Sequence, residues 1–278
     1  MLERFEVFVD GLNHPEGVTW NPFDGSVYAG GEAGEIYAIS LEGQVELAAS
    51  TGGSMLGLAV DGGGRVYACD AGRGEIVRLD PRSREVEAYG RGAQARPLDT
   101  PNVAAFGPDG MLYVTCSGED GRPEIVRIPP GGTAETWSTA VARYPNGCLV
   151  APEGTALVIV EAEAQRLVRL PILADGSAGD PQTIAELPDT DADGVAPAAD
   201  GSLWVTLYRP DGLVRVTVDG TVETMVDDRL ASHLDAPTNI AWVGVDLDRA
   251  VVANVGGHHL SIGEIGVRGA PLHYPEVP

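Results

Sequence analysis

Short apolar runs separated by turns recur along the chain at intervals of roughly 40–47 residues. Each unit begins with a small apolar strand. A Gly-rich turn leads to a second strand that ends in aromatic and small residues, and a third strand of the type Glu-Ile-x-x-Ile follows. In the first unit these three strands are predicted at 17–20, 27–29 and 35–39. The first strand of each of the six units is predicted at 17–20, 57–60, 102–104, 147–150, 194–196 and 239–242.

This repeat predicts an all-β fold, a six-bladed β-propeller with four antiparallel strands per blade. Less regular segments such as 45–48 and 222–226 supply the fourth strands. A TIM barrel would need long amphipathic helices between its strands, and the sequence contains no such stretch. Residues 5–9 form a strand left over before the first unit, so we expect it to pair with the strand around 262–267 and close the ring. Without a linker or a break in composition, 1–278 is predicted to be a single domain.

Composition supports this fold and narrows the function. The chain has 37 Gly and 20 Pro, which suits frequent turns and disfavours long helices. Its net charge of −23 would repel a nucleic-acid backbone. With no apolar stretch long enough to span a membrane and no signal-like N-terminus, a cytoplasmic protein with a small-molecule substrate is expected, as a monomer or weak homo-oligomer. Cys69, Cys116 and Cys148 lie in apolar strands without a C-x-x-C pair, which predicts buried free thiols.

The residue just before each inner-strand run is usually polar. These six positions are Glu16, Leu56, Asn102, Asn146, Asp193 and Asn239. Equivalent positions of a propeller surround its axis at one height, so five side-chain oxygens are expected to converge, although Asn and Asp also favour turns for local reasons. Oxygen ligands suit a hard divalent cation. Ca²⁺ is the leading candidate, and Zn²⁺, Mn²⁺ and Mg²⁺ are the alternatives.

Several short motifs occur in an order that resembles a known family. They are His14-Pro15-Glu16-Gly17, Asn102 with Pro108-Asp109-Gly110, Tyr144-Pro145-Asn146-Gly147, Asp193-Gly194 with 200–205, and Pro237-Thr238-Asn239. Over its whole length the chain resembles the senescence marker protein/gluconolactonase/luciferin-regenerating enzyme family of six-bladed propellers. The resemblance implies that Glu16, Asn146 and Asp193 bind the metal and that Asn102 lies beside it. It also implies lactone hydrolysis, with Asp193 as the general base.

Other positions are candidates for substrate contact. The family's sugar lactonases carry an Arg where this chain has Thr100, which argues against a sugar acid as substrate. Their acidic lid residue corresponds to Glu119 or Asp120. Asn239 completes the ring of polar positions, and His258 is a candidate because it and His259 should face opposite sides of a strand.

The sequence therefore predicts a metal-dependent hydrolase that opens a lactone or related cyclic ester. Water would be activated at a divalent ion in the central channel, with Asp193 accepting the proton. Two alternatives remain open. One is a non-hydrolytic enzyme on the same scaffold, an isomerase or cyclase, and the other is a small-molecule binding propeller with a structural Ca²⁺ ion.

Overall fold

The fold is known from a computed structural model that describes residues 1–90 and 96–278. These residues form 24 strands in six four-stranded sheets. The first strand, β1 (Phe5–Asp10), belongs to the last blade. The other strands are β2 (Val18–Asn21), β3 (Ser26–Gly30), β4 (Glu35–Ser40) and β5 (Val45–Ser50) in blade 1; β6 (Met55–Val60), β7 (Val66–Asp70), β8 (Glu75–Leu79) and β9 (Val86–Gly90) in blade 2; β10 (Pro101–Phe106), β11 (Leu112–Cys116), β12 (Glu124–Ile128) and β13 (Glu135–Ser138) in blade 3; β14 (Pro145–Val150), β15 (Ala156–Glu161), β16 (Arg166–Pro171) and β17 (Gln182–Glu186) in blade 4; β18 (Asp191–Pro197), β19 (Leu203–Arg209), β20 (Gly212–Val216) and β21 (Val222–Asp227) in blade 5; and β22 (Pro237–Val243), β23 (Arg249–Asn254) and β24 (His259–Gly263) in blade 6.

The predicted six-bladed propeller is confirmed. Every sheet is antiparallel, and the inner strands β2, β6, β10, β14, β18 and β22 neighbour one another around the axis. Ring closure is also confirmed, because β1 pairs with β24 as the outermost strand of blade 6, from Phe5 opposite Gly263 to Asp10 opposite His259. The partner strand ends at Gly263, earlier than the 262–267 segment that the repeat suggested, because a loop begins there.

The hydrophobic core lies between neighbouring blades. One cluster joins blades 2 and 3 through Tyr67 and Phe106, whose rings meet edge to face at 4.9 Å. Another joins blades 5 and 6 through Trp204 and Trp242. The three cysteines are buried as free thiols, as their apolar context predicted.

We call the face on which the inner strands begin the upper face and the face on which they end the lower face. After β24 the chain crosses the lower face as a C-terminal segment, residues 264–278. The amide of Ala270 donates to Pro197 O at 2.9 Å, and His273 Nε2 donates to Ala151 O at 3.0 Å. Further along, the amide of Gly62 donates to Pro275 O at 2.8 Å, while Val277 is buried in the core of blades 2 and 3. The segment therefore spans the lower mouth of the channel from blade 5 to blade 2.

In the described ranges 1–90 and 96–278, the helical content is limited to short 3₁₀ turns such as Leu2–Arg4 and Ala162–Ala164. Within 1–90 and 96–278, the structure has no helix with the length and apolar character that crossing a bilayer requires.

Candidate functional site

The polar positions of the inner strands lie in β-bulges. In blade 4, Pro145 pairs with Glu161 and Cys148 with Ile159, so Asn146 and Gly147 together oppose one residue of β15. The same irregularity falls at Leu56, Asn102, Asp193 and Asn239 in four other blades. A bulge re-aims the side chains that it carries. The sequence placed these residues just before the strands, whereas the structure has all five inside them, at an interruption of the ladder.

Glycine follows several of these polar residues because the inner strands approach one another closely. A Cβ on Gly17 would lie 1.9 Å from the carbonyl oxygen of Leu56 in the next blade. A Cβ on Gly147 would lie 2.3 Å from Asp193 O. The Glu-Gly and Asn-Gly pairs therefore reflect backbone contact between blades, which brings each bulge next to the following one.

Threonine hydroxyls tie successive bulges together. Thr115, opposite the bulge of blade 3, accepts a hydrogen bond from Val103 N at 3.0 Å and can donate to Asn146 O at 2.7 Å. Thr206 plays the same part in blade 5, where it accepts from Gly194 N at 2.7 Å. Between blades 6 and 1, Thr238 Oγ1 donates to Glu16 O at 2.7 Å. The backbones that carry the polar side chains are thus linked between blades 3 and 4, 5 and 6, and 6 and 1.

Glu16, Asn146 and Asp193 are brought together on the upper side of the channel. Burial raises the pKa of Asp193 well above its usual value, the charge of Glu16 raises it further, and a hydrogen bond from Asn146 opposes the shift. Burial also raises the pKa of Glu16 to about 7, with further contributions from Glu119 and Glu32. Two carboxylates, one buried and the other partly buried, therefore share one site.

The chemistry of this site fits a hard cation. Among the residues that the structure describes, none bonds to the amide oxygen of Asn146, although the side chain is only 6% exposed. Buried polar atoms normally have a partner, so this oxygen is an available ligand beside two carboxylates. No group of three or more His, Cys, Asp or Glu residues within 1–90 and 96–278 could hold a metal ion. Any ion here would therefore need amide oxygens to complete its ligands.

Asn102 is oriented by its neighbours rather than by the two carboxylates. Its Nδ2 donates to Ser117 Oγ at 2.9 Å, and Ser117 Oγ donates to Pro145 O at 3.0 Å, one residue before Asn146. The side chain is buried in the bulge next to that of blade 4. It is therefore held beside the site by hydrogen bonds that a substrate need not disturb.

A tyrosine that we did not assign from the sequence links the site to an upper loop. Tyr144 Oη donates to Glu119 Oε1 at 3.1 Å. The pKa of the phenol is raised by burial and by the charges of Glu119, Asp193 and Glu16, so Tyr144 lies close to all three carboxylates. Its backbone has a φ of 56°, an unfavourable conformation for a residue with a side chain. The signal available in the sequence was its position two residues before Asn146.

The loop that carries Glu119 is itself fixed. The buried carboxylate of Asp99 accepts hydrogen bonds from Asp120 N at 3.0 Å and Arg122 N at 2.9 Å. Glu119 and Asp120 are both exposed, but only Glu119 reaches Tyr144. Of the two lid candidates, Glu119 is therefore the one that the structure links to the site.

The remaining two candidates differ in position. Asn239 lies in the bulge next to that of Asp193, since a Cβ on Gly194 would be 2.9 Å from its Cα. Asn239 Oδ1 accepts from the amide of Ile240 at 3.2 Å, and its side chain is partly buried along the channel. His258 Nδ1 donates to Leu12 O at 2.9 Å, and its ring lies 4.4 Å from that of His14. His259 bonds to His233 O instead, so the two histidines do face different surroundings. His258 is a rim residue rather than a neighbour of Asp193 in these contacts.

Comparison with known structures agrees with the fold. A gluconolactonase from Xanthomonas campestris, described as important in glucose secondary metabolic pathways, is 20% identical with a TM-score of 0.81, covering 96% of this chain and 89% of that one. A calcium-binding protein, regucalcin, from Agrobacterium tumefaciens is 17% identical with a TM-score of 0.78, covering 98% and 97%. A luciferin-regenerating enzyme is 15% identical with a TM-score of 0.80, covering 98% and 99%. At these identities the likeness concerns the fold alone.

Sequence families give a more specific result. Among curated proteins, none matches the chain significantly in sequence. The model of the SMP-30/gluconolactonase/LRE-like region, however, matches residues 14–255, which contain Glu16, Asn102, Asn146, Asp193 and Asn239. Because this match spans well over half of the sequence, the chain belongs to the SMP-30/gluconolactonase/LRE-like family.

Proposed function

We propose that this protein is a divalent-metal-dependent lactonase, with Ca²⁺ as the leading metal. The observation that carries the proposal is the unpaired amide oxygen of Asn146 beside Asp193 and Glu16, in a chain of a gluconolactonase-like family. Family membership is consistent with lactone hydrolysis. The metal dependence rests on the ligand chemistry of these three residues.

Glu16, Asn146 and Asp193 would hold the ion. Two carboxylates balance its charge, and the Asn146 oxygen gains the partner that it lacks. When bound, the ion would polarise the lactone carbonyl and stabilise negative charge on its oxygen. With only a few protein ligands, room remains for substrate and water.

Asp193 is the proposed proton acceptor. A water oxygen adds to the carbonyl carbon, and its proton passes to an Asp193 carboxylate oxygen. The ring C–O bond then breaks, and the alkoxide takes up a proton to give the hydroxy acid. Desolvation raises the proton affinity of Asp193, whereas a nearby cation lowers it. Asp193 can serve both roles if one oxygen contacts the ion and the other faces the water.

Asn102 and Tyr144 are proposed to orient the substrate. Asn102 is fixed through Ser117, so its amide can meet a substrate oxygen with little loss of side-chain entropy. The raised pKa of Tyr144 keeps the phenol protonated at neutral pH, so it remains a hydrogen-bond donor. Asn102 is linked through Ser117 to Pro145, and Tyr144 is two residues before Asn146.

A panel of lactones assayed by acid release tests the proposal. Each lactone is measured with millimolar Ca²⁺ and after removal of metal by a chelator. Turnover that requires the ion and is lost in Asp193→Asn supports a metal-dependent lactonase. Turnover without acid release would favour an isomerase or cyclase, and metal binding without any turnover would favour a binding propeller.

A further inference from the structure

The upper mouth of the channel carries negative charge that the described residues do not neutralise. Glu32 lies in the loop between β3 and β4, and Glu119 lies in the loop between β11 and β12, so both are on the upper face; Glu119 is bonded to Tyr144, two residues before Asn146. Both side chains are exposed. Within 1–90 and 96–278, neither forms an ion pair, and the contact of the Glu119 side chain is the hydrogen bond from Tyr144.

The basic residues of this face are already occupied. All 18 basic residues of the chain are arginines, and it has no lysine. The arginines of the described upper loops and adjoining strand ends each contact an acidic side chain of the scaffold. These pairs are Arg73 with Glu75, Arg96 with Glu124, Arg122 with Asp99, Arg143 with Glu163, Arg166 with Glu161, Arg209 with Asp211 and Arg229 with Asp227. The described part of the upper face therefore offers no uncommitted cation to an anionic ligand.

A second observation, on the buried amide oxygen of Asn146, also indicates a cationic ligand. The buried Asn146 oxygen is an acceptor without a donor, next to the carboxylate of Asp193. One divalent ion would satisfy this oxygen and balance Glu16 and Asp193. It would leave the charges of Glu32 and Glu119 uncompensated. A ligand that complements both the buried metal site and the charges of Glu32 and Glu119 at the mouth must therefore carry a positive charge itself.

We propose that the site takes a lactone that carries a cationic ammonium group, and that Glu119, oriented by Tyr144, receives that group. The inference rests on the proposed lactonase function for its lactone part and on the mouth residues for its cationic part. The Asp99-anchored loop and the 3.1 Å bond from Tyr144 hold the Glu119 carboxylate in place before a ligand arrives. Little ordering is then needed on binding. A lactone with a carboxylate substituent would instead be repelled by the same charges.

The expected size of the preference is moderate because the mouth is open to solvent. Charge attraction over about 4 Å near a protein surface, discounted for screening, corresponds to a preference of about 5- to 50-fold for a cation over a neutral group of the same shape. It should shrink as salt rises, since the screening length falls to about 3 Å at 1 M ionic strength. A preference based on shape alone would not depend on salt in this way.

Two γ-butyrolactones that differ only in charge provide the test, one with a trimethylammonium substituent and one with a tert-butyl substituent. We measure kcat/KM for each with Ca²⁺-loaded protein and divide by its hydroxide-catalysed rate, which removes the inductive effect of the cation. Wild-type protein should prefer the cationic lactone, and the preference should fall as salt is added. Glu119→Gln keeps the shape and an acceptor for Tyr144, and should reduce the preference to below about threefold.

Two further variants separate charge at the mouth from other effects. Glu42→Gln makes the same charge change in an exposed turn of the lower face and should leave the preference unchanged. Tyr144→Phe keeps the Glu119 charge but removes the bond that orients it, and should reduce the preference partially. If Glu42→Gln lowered the preference as much as Glu119→Gln, net charge and not Glu119 would be responsible, and the inference would be wrong.

The outcomes distinguish this inference from the proposed function. Hydrolysis of both lactones with no preference, or with a preference that Glu119→Gln leaves intact, overturns the inference and leaves the lactonase function standing. If neither lactone is hydrolysed, the corresponding lactams are compared by calorimetric binding. Tighter binding of the cationic lactam that Glu119→Gln abolishes supports the cation site, and equal binding of the two lactams overturns it.

Discussion

The upper and lower ends of the channel are built from the same six inner strands, yet they differ in almost every property. At the upper end, bulges interrupt the ladders and carry Asn146 and Asp193, while Glu16 lies just before the regularly paired β2. At the lower end, the strands pair regularly and present residues such as Val60 and Val150 to an apolar cavity. There the C-terminal segment covers the mouth and satisfies exposed backbone groups.

The difference indicates that function and stability are separated along each strand. Residues in a bulge contribute little to the ladder, so their side chains can be chosen for chemistry. Residues between the bulge and the lower face are paired with the next strand of their own blade, and their side chains pack against neighbouring blades. These residues therefore stabilise the fold. Changes at the upper end should therefore alter activity with little effect on unfolding, and changes at the lower end should do the reverse.

The largest expected effect is that of Asp193→Asn at the upper end. The substitution keeps an oxygen beside Asn146 but removes the base and one charge of the pair. We expect a loss of about 10²–10⁴-fold in turnover of the best lactone, even at saturating metal, with weaker metal binding. The melting temperature without metal should stay the same or rise, because a buried carboxylate is removed. Wild-type turnover at saturating metal would mean that Asp193 only holds the ion.

Removal of residues 271–278 tests the lower end. The change exposes the core around Val277 and deletes the bonds from Gly62 and His273, which together should cost about 3–5 kcal/mol of the free energy of unfolding. In a propeller of this size we expect the melting temperature to fall by about 5–15 °C. Turnover per folded molecule at 20 °C should change by less than about threefold. A large loss of turnover in the folded protein would contradict the separation of the two ends.

The pH dependence of metal binding sharpens the description of the upper end. Glu16 has a pKa of about 7 without metal, so its proton competes with the ion below that pH. Ca²⁺ affinity should fall as pH drops below 7, by up to about tenfold per pH unit for the proton on Glu16 and further for a proton on Asp193, whose pKa is raised as well. Calorimetric titration of Ca²⁺ at pH 5.5, 6.5 and 7.5 measures this directly. An affinity that is flat over this range would show that both Glu16 and Asp193 are ionised throughout.

The same group gives the metal-free protein a defined stability profile. Folding raises the pKa of Glu16 from 4.5 to about 7, so over this window the folded protein holds a proton that the unfolded chain releases. The free energy of unfolding should therefore decrease as pH rises from about 4.5 to 7. Glu16→Gln should flatten the profile, with Asp193 responsible for any slope that remains. Melting curves of both proteins in chelator test this.

The smallest effect is expected for Asn102→Ala. Asn102 is held by Ser117 and not by the carboxylate pair, so metal affinity should be largely kept. Loss of one substrate-orienting group should lower kcat/KM by about 3- to 30-fold. Ser117→Ala is a useful comparison, since it leaves Asn102 in place but removes the bond that orients it, and should have part of the same effect. A drop in metal affinity in Asn102→Ala would make Asn102 a ligand.

The blades could be predicted from the sequence because they are local. Turn residues and alternating apolar runs recur with each unit, so strand positions and the polar start of each inner strand follow from the repeat. The convergence of Glu16, Asn146 and Asp193 also follows, since equivalent positions share one height in a propeller. The C-terminal segment could not be predicted, because its partners Gly62 and Ala151 are distant in sequence and it has no periodic pattern.

The role of Tyr144 escaped prediction for a similar reason. Its contact with Glu119 joins two different blades, and its left-handed backbone is visible only in three dimensions. The bulges were also missed, because a bulge changes pairing without changing the apolar pattern of the strand that carries it. The periodicity of a sequence does not show which buried side chain lacks a hydrogen-bond partner. The amide oxygen of Asn146 could therefore be identified only from the structure.

The C-terminal segment also determines how a ligand can enter and leave the channel. With the lower mouth covered, a ligand that enters past Glu119 must leave by the same route, so a chain-like molecule cannot thread the ring. Ring opening of a lactone creates a carboxylate that was absent from the substrate. That new anion would face Glu32 and Glu119 on its way out, and repulsion would hasten its departure. We therefore expect hydroxy acids to inhibit weakly. The inhibition should be competitive with the lactone, because both enter the site through the upper mouth.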